Sequence, residues 1–177
     1  MRHDLSMPDS ESIGILTKAV NLLFRTLSPE CVGEIAAYDR VPTWLRKPKC
    51  GIRQWKVRLL PVTKLPRTFW TAKWGYYEMG VGPNGGGKLE TATCAFMWAP
   101  NQLPQGGGYY LEPVTAILKR ASDASNGSFQ IRWIGPKESS QLLCCSFRGH
   151  PSPDEMAKTM KWLVENTLRE IQAVPSL

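Results

Sequence analysis

The strand-like segments of this 177-residue chain come in adjacent pairs, and that arrangement limits the possible folds more than any other feature. Thr68–Val81 and Lys88–Trp98 are both rich in β-branched and aromatic residues. Only Gly82-Pro83-Asn84-Gly85-Gly86-Gly87 separates them, a run of turn formers that suits a hairpin tip. Ser128–Ile134 and Gln141–Arg148 form a second pair, joined by Gly135-Pro136-Lys137-Glu138. Connections this short are too brief for a parallel crossover, so the pairs are expected to be antiparallel.

One more strand is expected over Gly51–Leu60. There Arg53, Trp55, Val57 and Leu59 alternate with Gln54, Lys56 and Arg58, which predicts one buried face and one wet face. Helices are expected around these strands. Asp9–Leu27 carries Ile13, Leu16, Ala19, Val20, Leu23 and Leu27 at helical spacing. Ser28-Pro29 offers a new N-cap and a first-turn proline, which predicts a short second helix through about Tyr38. Tyr110–Ala124 places Val114, Ile117, Leu118 and Ala121 on one side. The last helix has the strongest start signal, because Ser152-Pro153-Asp154-Glu155 reads as a capping box with proline at the first helical position. Ala157, Met160, Val164, Leu168 and Ile171 form its apolar stripe, and Lys161–Glu165 and Glu165–Arg169 are spaced to pair on the outer side.

The order α-α-β-β-β-α-β-β-α predicts an α+β domain: an antiparallel sheet of about five strands with helices packed on one face. A single domain is expected over 1–177. Residues 1–8 are expected outside the fold, 9–39 form a helical N-terminal part, 51–148 the sheet with one inserted helix, and 152–173 the C-terminal helix. No apolar run approaches the roughly 18 residues of a membrane span, and the acidic N-terminus does not read as a signal peptide. An intracellular, cytoplasmic setting is the expectation. The odd count of five cysteines, Cys31, Cys50, Cys94, Cys144 and Cys145, agrees with it, since irregularly spaced thiols read better as reduced and buried than as a disulfide framework.

Charge is the second constraint. The chain has a net charge of +7, yet the ten cations between Arg40 and Tyr77 already supply +10, leaving −3 for everything else. The ten are Arg40, Arg46, Lys47, Lys49, Arg53, Lys56, Arg58, Lys64, Arg67 and Lys73, and the same stretch holds no Asp or Glu. Trp44, Trp55, Phe69, Trp70, Trp74, Tyr76 and Tyr77 are interleaved with them. Cations for phosphates and flat side chains for unstacked bases are what nucleic-acid binding requires. The expected contacts are Arg46, Lys47, Lys49, Lys56, Arg58, Lys73, Lys88 and Arg132, with Trp70, Trp74 and Tyr76 as stacking residues. Lys56, Arg58 and Lys73 are expected on the wet sheet face, with Arg46, Lys47 and Lys49 at its edge.

Other chemistries find less support. Gly82-Pro83-Asn84-Gly85-Gly86-Gly87-Lys88 resembles the start of a nucleotide-binding P-loop, but Leu89 replaces the magnesium-binding Ser or Thr. An extended segment also follows where a P-loop requires a helix. A hairpin tip, with Lys88 free to touch phosphate, is the expectation. No Cys-x-x-Cys pair exists, and the adjacent Cys144 and Cys145 point to opposite faces of a strand, so no metal or other cofactor is expected. A catalytic site would have to be assembled from His150 with Cys144 or Cys145, or from Glu78 facing Glu90 across the hairpin. The leading expectation is a basic, non-enzymatic, nucleic-acid-associated binding protein or accessory factor. The alternative is an adaptor, inhibitor or immunity factor for an acidic protein, because Trp, Tyr and Arg dominate interface hot spots. An enzyme is third.

Overall fold

The computed structural model describes residues 7–46, 53–62, 70, 75–82, 92–102, 107–134 and 139–175. Among these residues four helices and seven strands lie in this order: α1 (Met7–Thr26), α2 (Pro29–Val32), β1 (Ile35–Ala37), β2 (Thr43–Arg46), β3 (Arg53–Pro61), β4 (Gly75–Val81), β5 (Ala92–Trp98), α3 (Gly107–Ala124), β6 (Gln130–Ile134), β7 (Ser140–Phe147) and α4 (Pro153–Gln172). A single turn of 3-10 helix, Pro100–Gln102, links β5 towards α3.

All strand pairs are antiparallel, in the order β1-β3-β4-β5-β7-β6 with β2 also on β3. The fold is therefore the α+β arrangement expected from the paired strands, with seven strands among the described residues instead of about five. The two additional strands are short and share one edge of β3. Ile35 stands opposite Pro61 at one end of that edge, and Thr43 stands opposite Lys56 further along.

The helix expected through Tyr38 stops at Val32, and Gly33 follows as its cap. A four-residue helix gains little on its own, because nucleation consumes most of what its few hydrogen bonds return. The unpaired edge of β3 offers a full ladder instead. Tyr38 N donates to Arg58 O at 2.8 Å and Val62 N donates to Glu34 O at 2.8 Å, extending the pairing on both sides of β1.

The long helices pack on one face of the sheet. The Tyr77 hydroxyl meets the Thr167 hydroxyl of α4 at 2.8 Å, Cys94 Sγ approaches Met156 O of α4, and the Thr115 hydroxyl of α3 donates to Gln141. These contacts assign Val57, Leu59, Tyr77, Met79, Cys94, Phe96, Leu143 and Cys145 to the helix side, since directly paired residues share a face. Leu16 and Leu23 of α1 and Met160, Leu163 and Leu168 of α4 close over them, all fully buried. Trp70 is also fully buried, stacked 5.8 Å from Tyr77 and edge-on to Phe96.

The capping box forms as its sequence requires. Ser152 Oγ accepts from Glu155 N and Glu155 Oε2 accepts from Ser152 N. Lys161 pairs with Glu165 at 3.8 Å, but Glu165 also accepts from Ser28 N at 2.8 Å, and Arg169 turns to Glu30. The outer side of α4 is thus tied to the α1–α2 junction. Among the described residues no helix is long and apolar enough to cross a membrane.

Candidate functional site

The face of the sheet away from the helices carries Gln54, Lys56 and Arg58 of β3, Tyr76, Glu78 and Gly80 of β4, and Thr93, Ala95 and Met97 of β5. The expectation that Lys56 and Arg58 share a face is met by the register. The expectation that this face is wet is not. Lys56 and Glu78 are 4% and 3% exposed, and Gln54, Tyr76, Ala95 and Met97 are also buried. Alternation of polar and apolar residues along β3 therefore marks a second, polar layer of the interior.

Both strand cations are neutralised there. Lys56 Nζ bonds to Glu78 Oε1 at 2.6 Å across neighbouring strands. Arg58 grips Asp39 with a two-pronged contact, Nη2 to Oδ1 at 2.8 Å and Nε to Oδ2 at 3.1 Å. Asp39 Oδ2 also accepts from Arg58 N at 2.8 Å, so one carboxylate fixes both the side chain and the backbone of Arg58. This bonding raises the already high pKa of Arg58 further, with burial pulling the other way. Burial raises the pKa of Tyr76 strongly, and the neighbouring Glu78 carboxylate adds to the effect.

The two acids involved sit at telling places in the chain. Asp39 immediately precedes the carboxylate-free stretch and Glu78 immediately follows it. The boundaries of the basic stretch are its internal counterions. The signal that marks these partners in the sequence is the pair of acids at the two ends of the window, not the absence of acids inside it.

Arg58 also packs on aromatic rings. Its guanidinium carbon lies 5.1 Å from the Tyr38 ring centre and 6.0 Å from that of Tyr76. Tyr76 is buried while Tyr38 is 54% exposed. Beyond Lys56, the Gln54 amide oxygen accepts from Thr93 Oγ1 at 3.4 Å, a reach from β3 to β5 made over Gly80 of β4. Gln54 Nε2 is buried with no hydrogen-bond partner among the described residues.

The remaining expected contacts divide three ways. Trp70 is sealed in the core, and Tyr76 is buried, so neither is available to stack on a base. Arg132 is exposed on β6, opposite Leu142, and the register gives it the same face as Arg58. Four strand spacings, about 19 Å, separate it from β3. Arg46 ends β2, where the register sets it opposite Arg53. Lys47, Lys49, Lys73, Trp74 and Lys88 lie outside the described residues, as does Glu90.

His150 has a different role from the one a Cys–His site requires. Its Nε2 donates to Gly82 O at 2.9 Å, and Ser12 Oγ donates to the same carbonyl at 2.9 Å. Its Nδ1 stands 3.5 Å from Glu11 Oε1. Among the described residues neither Cys144 nor Cys145 bonds to it. The imidazole and the α1 hydroxyl together pin the last residue before Pro83, where β4 ends. Cys94 and Cys145 stand opposite each other across β5 and β7, and burial raises both thiol pKa values.

Compared with models of known protein families, with curated proteins and with solved structures, the chain matches none.

Proposed function

We propose that the chain is a binding protein for nucleic acid, with phosphates met by cations of the 40–77 stretch other than Lys56 and Arg58. What supports this reading is the position of the flanking carboxylates. Asp39 and Glu78 engage Arg58 and Lys56, two of the ten cations, and no further carboxylate exists within the stretch. Arg58 and Lys56 thereby become structural charges. Phosphate contact falls to other members, with Arg40 exposed at the start of the stretch, Arg46, Lys47, Lys49 and Lys73 further along it, and Lys88 and Arg132 contributing from outside it. Binding of this kind releases counterions, so affinity falls steeply as salt rises.

The test is a titration of fluorescent single- and double-stranded oligonucleotides at several salt concentrations. A plot of log affinity against log salt should slope downward in proportion to the phosphates neutralised, and Lys47→Glu with Lys49→Glu should make it shallower. No binding to DNA or RNA at low salt sinks the reading.

A second reading is favoured by one observation. Val32, Tyr38, Val41 and Val62 are all exposed and all belong to the segments around the β1 edge of the sheet. Exposed apolar side chains beside cations suit an acidic protein partner. Recovery of one stoichiometric acidic protein, unaffected by nuclease, favours that reading over nucleic acid.

A further inference from the structure

We propose that Tyr38 is a stacking platform for an unpaired nucleobase, which makes single-stranded nucleic acid the favoured ligand. The inference rests on the nucleic-acid reading above and adds the class of strand and the residue that selects it. Recognition of unpaired bases requires a flat side chain that is open to solvent on a rigid support. Tyr38 meets both conditions. It is 54% exposed, the most exposed aromatic residue among the described residues.

Its support comes from three sides. The Arg58 guanidinium lies 5.1 Å from its ring centre, at cation–π distance. Asp39 immobilises that guanidinium with its two-pronged contact, and the buried Tyr76 ring backs it at 6.0 Å. The Tyr38 backbone is fixed as well, since its N–H donates to Arg58 O at 2.8 Å. Tyr38, Arg58 and Tyr76 form a short pile of flat groups whose inner member is buried and whose outer member is open. An incoming base extends that pile with little loss of side-chain freedom, because the tyrosine is already held.

The surroundings suit a strand more than a duplex. Arg40, two residues on, is exposed and placed to meet a phosphate next to the stacked base. The exposed Val41, three residues on, offers apolar contact to a sugar or a second base. Trp133 is a less suitable platform: it is 38% exposed and stands on β6, four strand spacings from β3. Trp70, which the sequence suggested for this role, is buried.

The test measures anisotropy of three labelled probes of equal length: a single-stranded oligothymidine, a duplex, and a single strand of abasic sites. Each is titrated with wild type, Tyr38→Ala and Tyr38→Phe, and folding of the variants is checked by circular dichroism. Wild type should prefer the oligothymidine. Tyr38→Ala should weaken that probe about tenfold while leaving the duplex and abasic strand unchanged, and Tyr38→Phe should bind like wild type. Equal wild-type affinity for all three probes overturns the stacking proposal and leaves the phosphate reading standing. An unchanged oligothymidine affinity in Tyr38→Ala, or an equal loss on all three probes, also overturns it. If wild type binds none of the three at low salt, both readings fall and the surface passes to the protein-partner reading.

Discussion

Lys56 Nζ lies 2.6 Å from Glu78 Oε1, with each side chain no more than 5% exposed. Two charges brought out of water together are tolerable only as a pair. Lys56→Met leaves the Glu78 carboxylate buried beside an apolar chain and should cost about 3–5 kcal/mol in a urea unfolding titration. The paired replacement Lys56→Met with Glu78→Leu should cost far less than the two single changes added together. Additive single and double effects would mean that the two groups do not stabilise each other.

Gly80 makes room for a neighbour. A Cβ at that position would stand 2.6 Å from Gln54 Oε1 and 3.3 Å from Thr93 Oγ1. Gly80→Ala should therefore push Gln54 off its line to Thr93 and destabilise the fold by about 1–3 kcal/mol, the usual cost of overpacking. Gln54→Ala in the Gly80→Ala background should recover much of the loss. Thermal melts of the single and double variants measure both effects.

Asp39 holds the β1 edge through Arg58. Asp39→Asn keeps the size of the side chain but removes the charge from a contact that is largely buried. The expected loss is about 1.5–3 kcal/mol, the range for hydrogen bonds to charged groups. Amide exchange should quicken first at Tyr38 and Arg58, whose N–H groups belong to this junction.

Burial raises the pKa of both Tyr76 and Tyr77 above the ordinary tyrosine value. The sign follows directly. The folded state favours the neutral phenol, so both tyrosines contribute full stability below the unfolded pKa of about 10, and that contribution is lost as pH rises through the folded values. Unfolding free energy should fall with pH above about 10, and phenolate absorbance from these two residues should appear together with loss of the circular dichroism signal. Tyr77→Phe should flatten the alkaline decline, at the cost of the Thr167 hydroxyl contact. Ionisation of both residues in a folded protein would contradict their placement.

Local signals were readable in the sequence and long-range ones were not. The start of α4 is encoded by four consecutive residues, and its capping box forms as read. The paired strands announced antiparallel topology through the brevity of their connections. β1 was not readable, because Ile35–Ala37 is a strand only by virtue of the edge that β3 presents. The burial of Lys56 was equally hidden, since its counterion stands 22 residues away in the chain. A polar residue in an alternating pattern reports its chemistry and not its exposure. Trp70 and Tyr38 depart from their expected places for the same reason: the tryptophan meets Tyr77 and Phe96 in the core, while Tyr38, expected at the end of a helix, lies at the surface beside a three-residue strand.

The placement of Asp39 and Glu78 just beyond the two ends of the basic stretch bears on how the stretch can be dissected. A synthetic peptide of residues 40–77 omits both acids, so it displays as free cations two side chains that the intact chain holds in ion pairs. Such a peptide would overstate attraction to any polyanion and lose whatever discrimination the fold provides. Extending it by a single residue at each end restores the acids without restoring the strands that bring them to their partners. The smallest fragment that keeps both ion pairs is thus set by the sheet that joins β1, β3 and β4, and not by the run of charge that first draws the eye.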